Sequence, residues 1–464
     1  MSELLTLSAR DVLDGFKDKT ISPVEYMSEL TARVDACEPQ VCALYDYQPE
    51  DALKQARAAE QRWMDGAPMG PLDGMPVTVK ELIATKGTPV PMGTAAIDLT
   101  PAEDDAPTAA RLKEDGAIIF AKTTCPDYGM LSSGLSTFHP LSRNPWDLSQ
   151  NPGGSSAGAA SAGAAGYGPL HIGTDIGGSV RLPAGWTGLF GFKPSLGRIP
   201  IDPYYTGRCA GPMTPRVDDA ALLMATITRP DARDATSLPY EDINWDAPGI
   251  NVNGIKIGLM MDAGCGIDAE PDVQKAVRNA AKEFEAHGAE IIEIPPVLTR
   301  AMLDGLDVAW RARFWGMMQQ LPDANRAKIL PYIHEWAKAG ASIKPTEVAA
   351  GFDQTFAMRK ACAKAFEDVD FILSPVNPNV SYPAEWASPT NDPAKPFEHI
   401  CFTVPWNMGE QPACSINCGF SQSGMPIGLQ IVAPRFEDLK VFQLARTFES
   451  WHGPITKWPE IPRD

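Results

Sequence analysis

The chain has 464 residues, 44% hydrophobic and 21% charged, an ordinary globular composition that excludes wholesale disorder. With 40 basic against 58 acidic residues the formal charge is -18, the wrong sign for gripping a phosphate backbone, so nucleic acid is not an expected partner. No apolar run of about 18 residues occurs, and the start MSELLTLSARDVLDGF lacks the basic, apolar and small-residue sections of a secretory signal; no membrane partner and a cytoplasmic location are expected.

Nine cysteines in a chain without such a signal are expected to be reduced and mostly buried. The closest groups, Cys37 with Cys42 and Cys414 with Cys418, lack a second spaced pair or a nearby histidine, so a structural zinc or other metal is not expected. In chain order, residues 1–66 read as a helical flank. Ser22-Pro23-Val24-Glu25 is a capping box with proline at the first helical position, and Pro49 to Met64 is a helical pattern ending at Gly66. MPVTVK (75–80) and AIIFAK (117–122) are predicted strands, with a short helix over Thr108 to Asp115 between them. GIKIGLMM, a helix from Pro271 to His287 and AEIIEIPP form a strand, helix, strand succession.

Residues 300 to about 370 are helix-like, and 374–400 is a connection rich in Pro, Asn and Ser. Together, 300–400 is predicted as a helical insertion near the mouth of the site. Its Trp310, Phe314, Trp315, Met317 and Met318 are either an apolar pocket wall or helix core. ACSINCGF and IGLQIVAP are closing strands, followed by a helix over 437–449. The alternation argues an α/β fold. Without an internal repeat or a long linker, one domain over 1–464 is expected, with the chemistry concentrated in 67–230.

The segment from Asn151 to Lys193 is the most unusual in composition. A flexible linker is one reading of its Gly and Ser, but Asp175, Arg181, Trp186 and Phe190 belong to ordered structure. A nucleotide loop is another, yet no GxxxxGK[ST] occurs and the glycines do not follow a strand in the GxGxxG order. Nucleophilic catalysis is the third, and two serines compete for it. Gly154-Ser155-Ser156-Ala157-Gly158 matches the GxSxG elbow of an α/β-hydrolase-like esterase with Ser156 as nucleophile. The preceding SRNPWDLSQNPGG is poor strand material, and a partner would have to come from His171, His287, His334, His399 or His452, none in a telling loop. GTDIGGSVRLP fits better. Backbone N–H groups at Ile176, Gly177 and Gly178 can form an oxyanion nest, with Ser179 directly after it and a helix starting near Val180. Asp175 and Arg181 either clamp this loop as an ion pair or are two solvated charges.

GGSSAG followed 24 positions on, serine to serine, by GTDIGGSVRLPA resembles the diagnostic segment of the amidase signature family. MPVTVKEL resembles its lysine strand, RNPWDLSQNPGGSS its run-in, GFKPSLGRIP its exit, and FTVPWNMGEQPACSINCGF with GMPIGLQIVAPRFED its closing strands, so the likeness extends from about residue 5 to 450. Ala157 departs from the pattern, which more often has glycine there. The resemblance implies a large mixed β-sheet flanked by helices on both faces and a hydrolytic triad. Ser179 is implied as nucleophile, Ser155, preceded by a cis peptide bond, as bridge, and Lys80 as base. Met130 and Ser132 are implied as substrate-lining. A lysine acts as a base only when neutral, which burial promotes.

What the resemblance implies is an amidohydrolase forming an acyl-enzyme at Ser179 without a cofactor. Its expected partner is a small amide or carbamate, with aryl or alkyl groups favoured and a homodimer left open. The alternatives are a glutaminase A-type subunit of a tRNA-dependent amidotransferase, an esterase using Ser156, and a non-catalytic scaffold.

Overall fold

The computed structural model describes residues 1–453 and 458–461. Eleven strands form one sheet: β1 Leu44–Tyr45, β2 Pro76–Lys80, β3 Ile118–Thr123, β4 His171–Asp175, β5 Phe190–Lys193, β6 Cys209–Thr214, β7 Lys256–Leu259, β8 Glu290–Glu293, β9 Phe371–Pro375, β10 Ala413–Phe420 and β11 Pro426–Val432. Their order is β1-β3-β2-β4-β6-β5-β10-β11-β9-β7-β8. β2 runs parallel to β3 and β4, and β7 parallel to β8 and β9, whereas β4–β6, β6–β5, β5–β10, β10–β11 and β11–β9 are antiparallel, so the sheet is mixed. β2, β4, β5, β6, β9 and β11 are buried at every position because helices cover both faces. The sheet ends on a two-residue strand at one edge and on the largely exposed β8 at the other, which limits open pairing edges.

The flank 1–66 is helical as expected, over Ala9–Asp18, Pro23–Val41 and Pro49–Asp65, except that β1 lies within it and pairs with β3. Gly66, at φ 69°, closes the third helix as a left-handed cap. Pro23 opens its helix, and Ser22 Oγ accepts from the Val24 and Glu25 amides. The reciprocal half of the predicted capping box is absent; the Ser22 hydroxyl donates instead to the Glu60 carboxylate of the next helix. Tertiary packing has replaced the local partner.

The expected helix Thr108 to Asp115 is Pro107–Glu114, the one from Pro271 is Pro271–Ala286, and the last is Asp438–His452. The boundaries of the 300–400 insertion need correction. Helices Arg300–Met318, Pro331–Lys338 and Pro345–Lys364 do form an excursion, but β9 returns the chain to the sheet between β11 and β7. Only 376–400 is therefore the long connection.

The helix Ala157–Ala165, AGAASAGAA, is buried at all nine positions and packs between β4 and the helix Arg181–Thr187. Small residues are required there: a Cβ on Gly158 would lie 2.2 Å from the Ala43 carbonyl oxygen and 2.4 Å from the Thr124 nitrogen. Ala157, the departure from the family pattern, is fully buried at its first turn without disturbing it. Because β2 and β4 are parallel neighbours, Lys80 and Asp175 leave the sheet at the same edge, where sites in open α/β sheets collect.

Candidate active site

Lys80 ends β2 and is fully buried. Its Nζ lies 2.7 Å from Ser155 Oγ, 3.1 Å from Thr174 Oγ1 and 3.3 Å from Ser156 Oγ. Burial lowers its pKa to about 8, and the nearby Arg208 guanidinium works in the same direction. Lys122, opposite Val79 on β3, is also buried and lowered to about 8 by desolvation. Its amine, however, donates to the Glu81 and Ile83 carbonyls and to Thr85 Oγ1, which hold its protons in place. Lys80 faces only hydroxyls, groups able to give and take a proton. Of the two, Lys80 is therefore the candidate base.

Ser155 follows a cis peptide bond with Gly154 and, with Ser179, lines a cavity of about 260 Å³. Ser179 sits at the end of a tight loop from β4 into the helix Arg181–Thr187. Gly178 has φ 123°, and a Cβ there would lie 2.4 Å from Thr403 Oγ1, so only glycine takes this bend. Asp175 organises the turn: Oδ1 accepts from the Gly178 amide at 2.8 Å, and Oδ2 from Val180 at 3.1 Å and Arg181 at 3.4 Å. The predicted nest is corrected on this point. Gly178 gives its N–H to Asp175, while Ile176 and Gly177 line the cavity.

Asp175 and Arg181 are a buried pair, not solvated charges, joined through Nε at 3.0 Å and Nη2 at 2.9 Å. Burial alone would raise the Asp175 carboxyl, but the charge and hydrogen bonds of Arg181, helped by Asn407, hold it well below the usual carboxylate range. Arg181 also donates to Gln430 Oε1, Asn407 Oδ1 and the Thr403 carbonyl, and Thr403 Oγ1 donates to the Gly177 carbonyl at 2.6 Å. Thr403, Asn407 and Gln430 were not singled out in the sequence. A glutamine in the buried strand pattern IGLQIV is the signal that points to them, since such a group requires partners.

Ser156 is fully buried and turned away from the cavity. Its Oγ donates to the Thr174 carbonyl and accepts from the Thr174 amide, so the elbow reading fails: the hydroxyl is held by the neighbouring strand. No described histidine bonds either serine. His171 bonds Thr78 Oγ1 and the Gly168 carbonyl, His287 stacks on Trp451, and His452 pairs with Glu283. His139, outside the five weighed from sequence, pairs with Glu81 beside Lys80, and Cys125 Sγ donates to the same carboxylate at 2.8 Å. His399 lines the cavity, with burial lowering its pKa to about 3 and neither ring nitrogen bonded.

Met130 and Ser132 lie in the cavity wall, and the Tyr382 hydroxyl donates to the Ser132 carbonyl, tying that wall to the 376–400 connection. The aromatic segment serves both predicted purposes: Trp310, Phe314 and Met317 line the cavity, Met318 is helix core, and Trp315 is half-buried outside the lining. None of the nine cysteines forms a disulfide, and six of them are buried. Among the described residues no group of three or more His, Cys, Asp or Glu is placed to hold a metal ion, and no helix is long and apolar enough to cross a membrane.

The sequence profile of the Amidase family matches residues 25–442. The chain belongs to the amidase signature family. Within it, the chain is 30% identical to the A subunit of the glutamyl-tRNA(Gln) amidotransferase of Chloroflexus aggregans, over 100% of both chains. It is 32% identical to the protein of the same name from Geobacter metallireducens, over 97% of this chain and 99% of that one. Among solved structures, a bacterial aryl acylamidase of the amidase signature family superposes with a TM-score of 0.89 at 28% identity, covering 98% of each chain. The mixed eleven-stranded sheet is thus the amidase signature fold, and the chain is an amidase-family hydrolase.

Proposed function

We propose that this hydrolase cleaves carbon–nitrogen bonds of small aryl or alkyl amides through an acyl-enzyme at Ser179, with esters and carbamates (urethanes) as further substrates. One observation carries the reading: Lys80 Nζ stands 2.7 Å from Ser155 Oγ at the edge of a cavity that Ser155 shares with Ser179. Neutral Lys80 takes the Ser155 proton as Ser155 takes that of Ser179, and Ser179 Oγ bonds to the substrate carbonyl carbon. The developing oxyanion is held by the amides of Ile176 and Gly177. Lys80 returns the proton through Ser155 to the leaving nitrogen as the C–N bond breaks, and water then releases the acid by the same route.

The aryl and alkyl preference is supported by a wall of Tyr128, Leu131, Trp310, Phe314, Phe397 and Ile400, and by the likeness to the aryl acylamidase. A glutaminase component of an amidotransferase is the second reading, favoured by the names of the curated relatives. The test is fluorophosphonate labelling with peptide mapping, alongside turnover of anilides, primary amides, esters, carbamates and glutamine. The expected adduct is on Ser179 with anilides turned over. An adduct on Ser156, or activity confined to glutamine, overturns the reading.

A further inference from the structure

The chain carries 58 acidic against 40 basic residues, yet the charged side chains lining the cavity are Arg208 and Arg313, with no aspartate or glutamate among them. No described carboxylate lies within ion-pair distance of either guanidinium, whereas most other arginines of the chain are so paired. Arg208, partly buried immediately before β6, donates from Nη1 to the Pro203 carbonyl at 2.7 Å. Burial pulls even its strongly basic group down, to about 10. Its other guanidinium donors remain for a ligand. Arg313 stands exposed at the rim, its guanidinium 4.0 Å from the Tyr205 ring centre, a contact that positions it at the cavity mouth.

We propose, building on the amide hydrolysis argued above, that the preferred substrates are amides bearing a carboxylate, which Arg208 binds inside the cavity and Arg313 draws in at the rim. A guanidinium presents a planar pair of donors that matches a carboxylate, and an unpaired, partly desolvated one gains most from it. In a chain of formal charge -18, two arginines at the cavity also create a local field that steers anions to this place and not elsewhere on the surface. The apolar wall takes the aryl or alkyl body of the same molecule.

The test is calorimetric titration of the full-length Ser179→Ala chain, so that binding is read without turnover. Two pairs are compared: 4-acetamidobenzoate with its neutral analogue 4′-acetylacetanilide, and N-phenylsuccinamate with N-phenylpentanamide. The first pair places the carboxylate on the amine side of the amide and the second on the acyl side. At least one carboxylate is expected to bind about tenfold tighter than its neutral partner, the preference shrinking with added salt and disappearing in Arg208→Gln. Arg313→Gln, at an exposed position, should lower the preference about threefold and serves if Arg208→Gln does not fold. Equal or tighter binding of both neutral analogues, or a preference unchanged by whichever of these substitutions folds, overturns the proposal. A chain that bound carboxylates in this way but hydrolysed no amide would sink the catalytic reading and leave the anion site standing.

Discussion

At the scale of single residues, protonation of Lys80 would govern the hydrolysis proposed above. Its ammonium form has no lone pair to accept a proton, and its pKa is lowered to about 8 chiefly by burial. Activity should therefore rise with pH, kcat/KM increasing about tenfold per pH unit below about 8 and levelling above it. Lys80→Met keeps the volume and removes the base, with an expected loss of about 10²- to 10⁴-fold in kcat and loss of the rise; steady-state kinetics between neutral and alkaline pH check both. A Lys80→Met chain with the original profile would transfer the role to another group. From the sequence, Ser179 was legible through its glycine-rich loop, while Ser155 and Lys80 became legible only as a set. The commitment of Gly178 to Asp175 was not, because a run of glycines does not say which amide turns inward.

At the scale of elements, the turn between β4 and the helix Arg181–Thr187 rests on one buried ion pair and its partners from Thr403, Asn407 and Gln430. Arg181→Met would leave Asp175 buried without its compensating charge, costing about 3–5 kcal/mol. Chemical denaturation should report that loss as a lower midpoint, and activity should fall with it because the same carboxylate holds the amides of Gly178 and Val180. An unchanged midpoint would mean the pair is not holding the turn. Long amphipathic helices and strands next to clear turns were visible in the sequence. β9 was not: Phe371–Pro375 is five residues, ends in proline and adjoins a loop-like stretch, and it is a strand because β11 and β7 pair with it on either side. β6, with Gly211 and Pro212 inside it, is hidden for the same reason.

At the scale of the whole molecule, Lys80, Ser155, Ser179 and the cavity wall all come from residues between 80 and 400 of one chain. The purified chain should hydrolyse an anilide such as 4-nitroacetanilide without a partner protein, with kcat/KM unmoved by added tRNA, as expected of a surface at formal charge -18. Turnover that required a second chain would favour the amidotransferase reading. By itself the sequence determined the fold class and the family and brought forward Lys80, Ser155 and Ser179 as candidates, because backbone propensity, glycine placement and motif spacing are local properties written along the chain. Tertiary structure alone decided which of two buried lysines faces hydroxyls, which amide of the loop stays open, and that Arg208 and His399 turn into one cavity. The lysine environments are made by partners tens of residues away and the cavity by residues from distant parts of the chain, brought into contact by sheet order and burial, while the open amide is decided by which way the Asp175 carboxylate turns; a local sequence pattern encodes none of these.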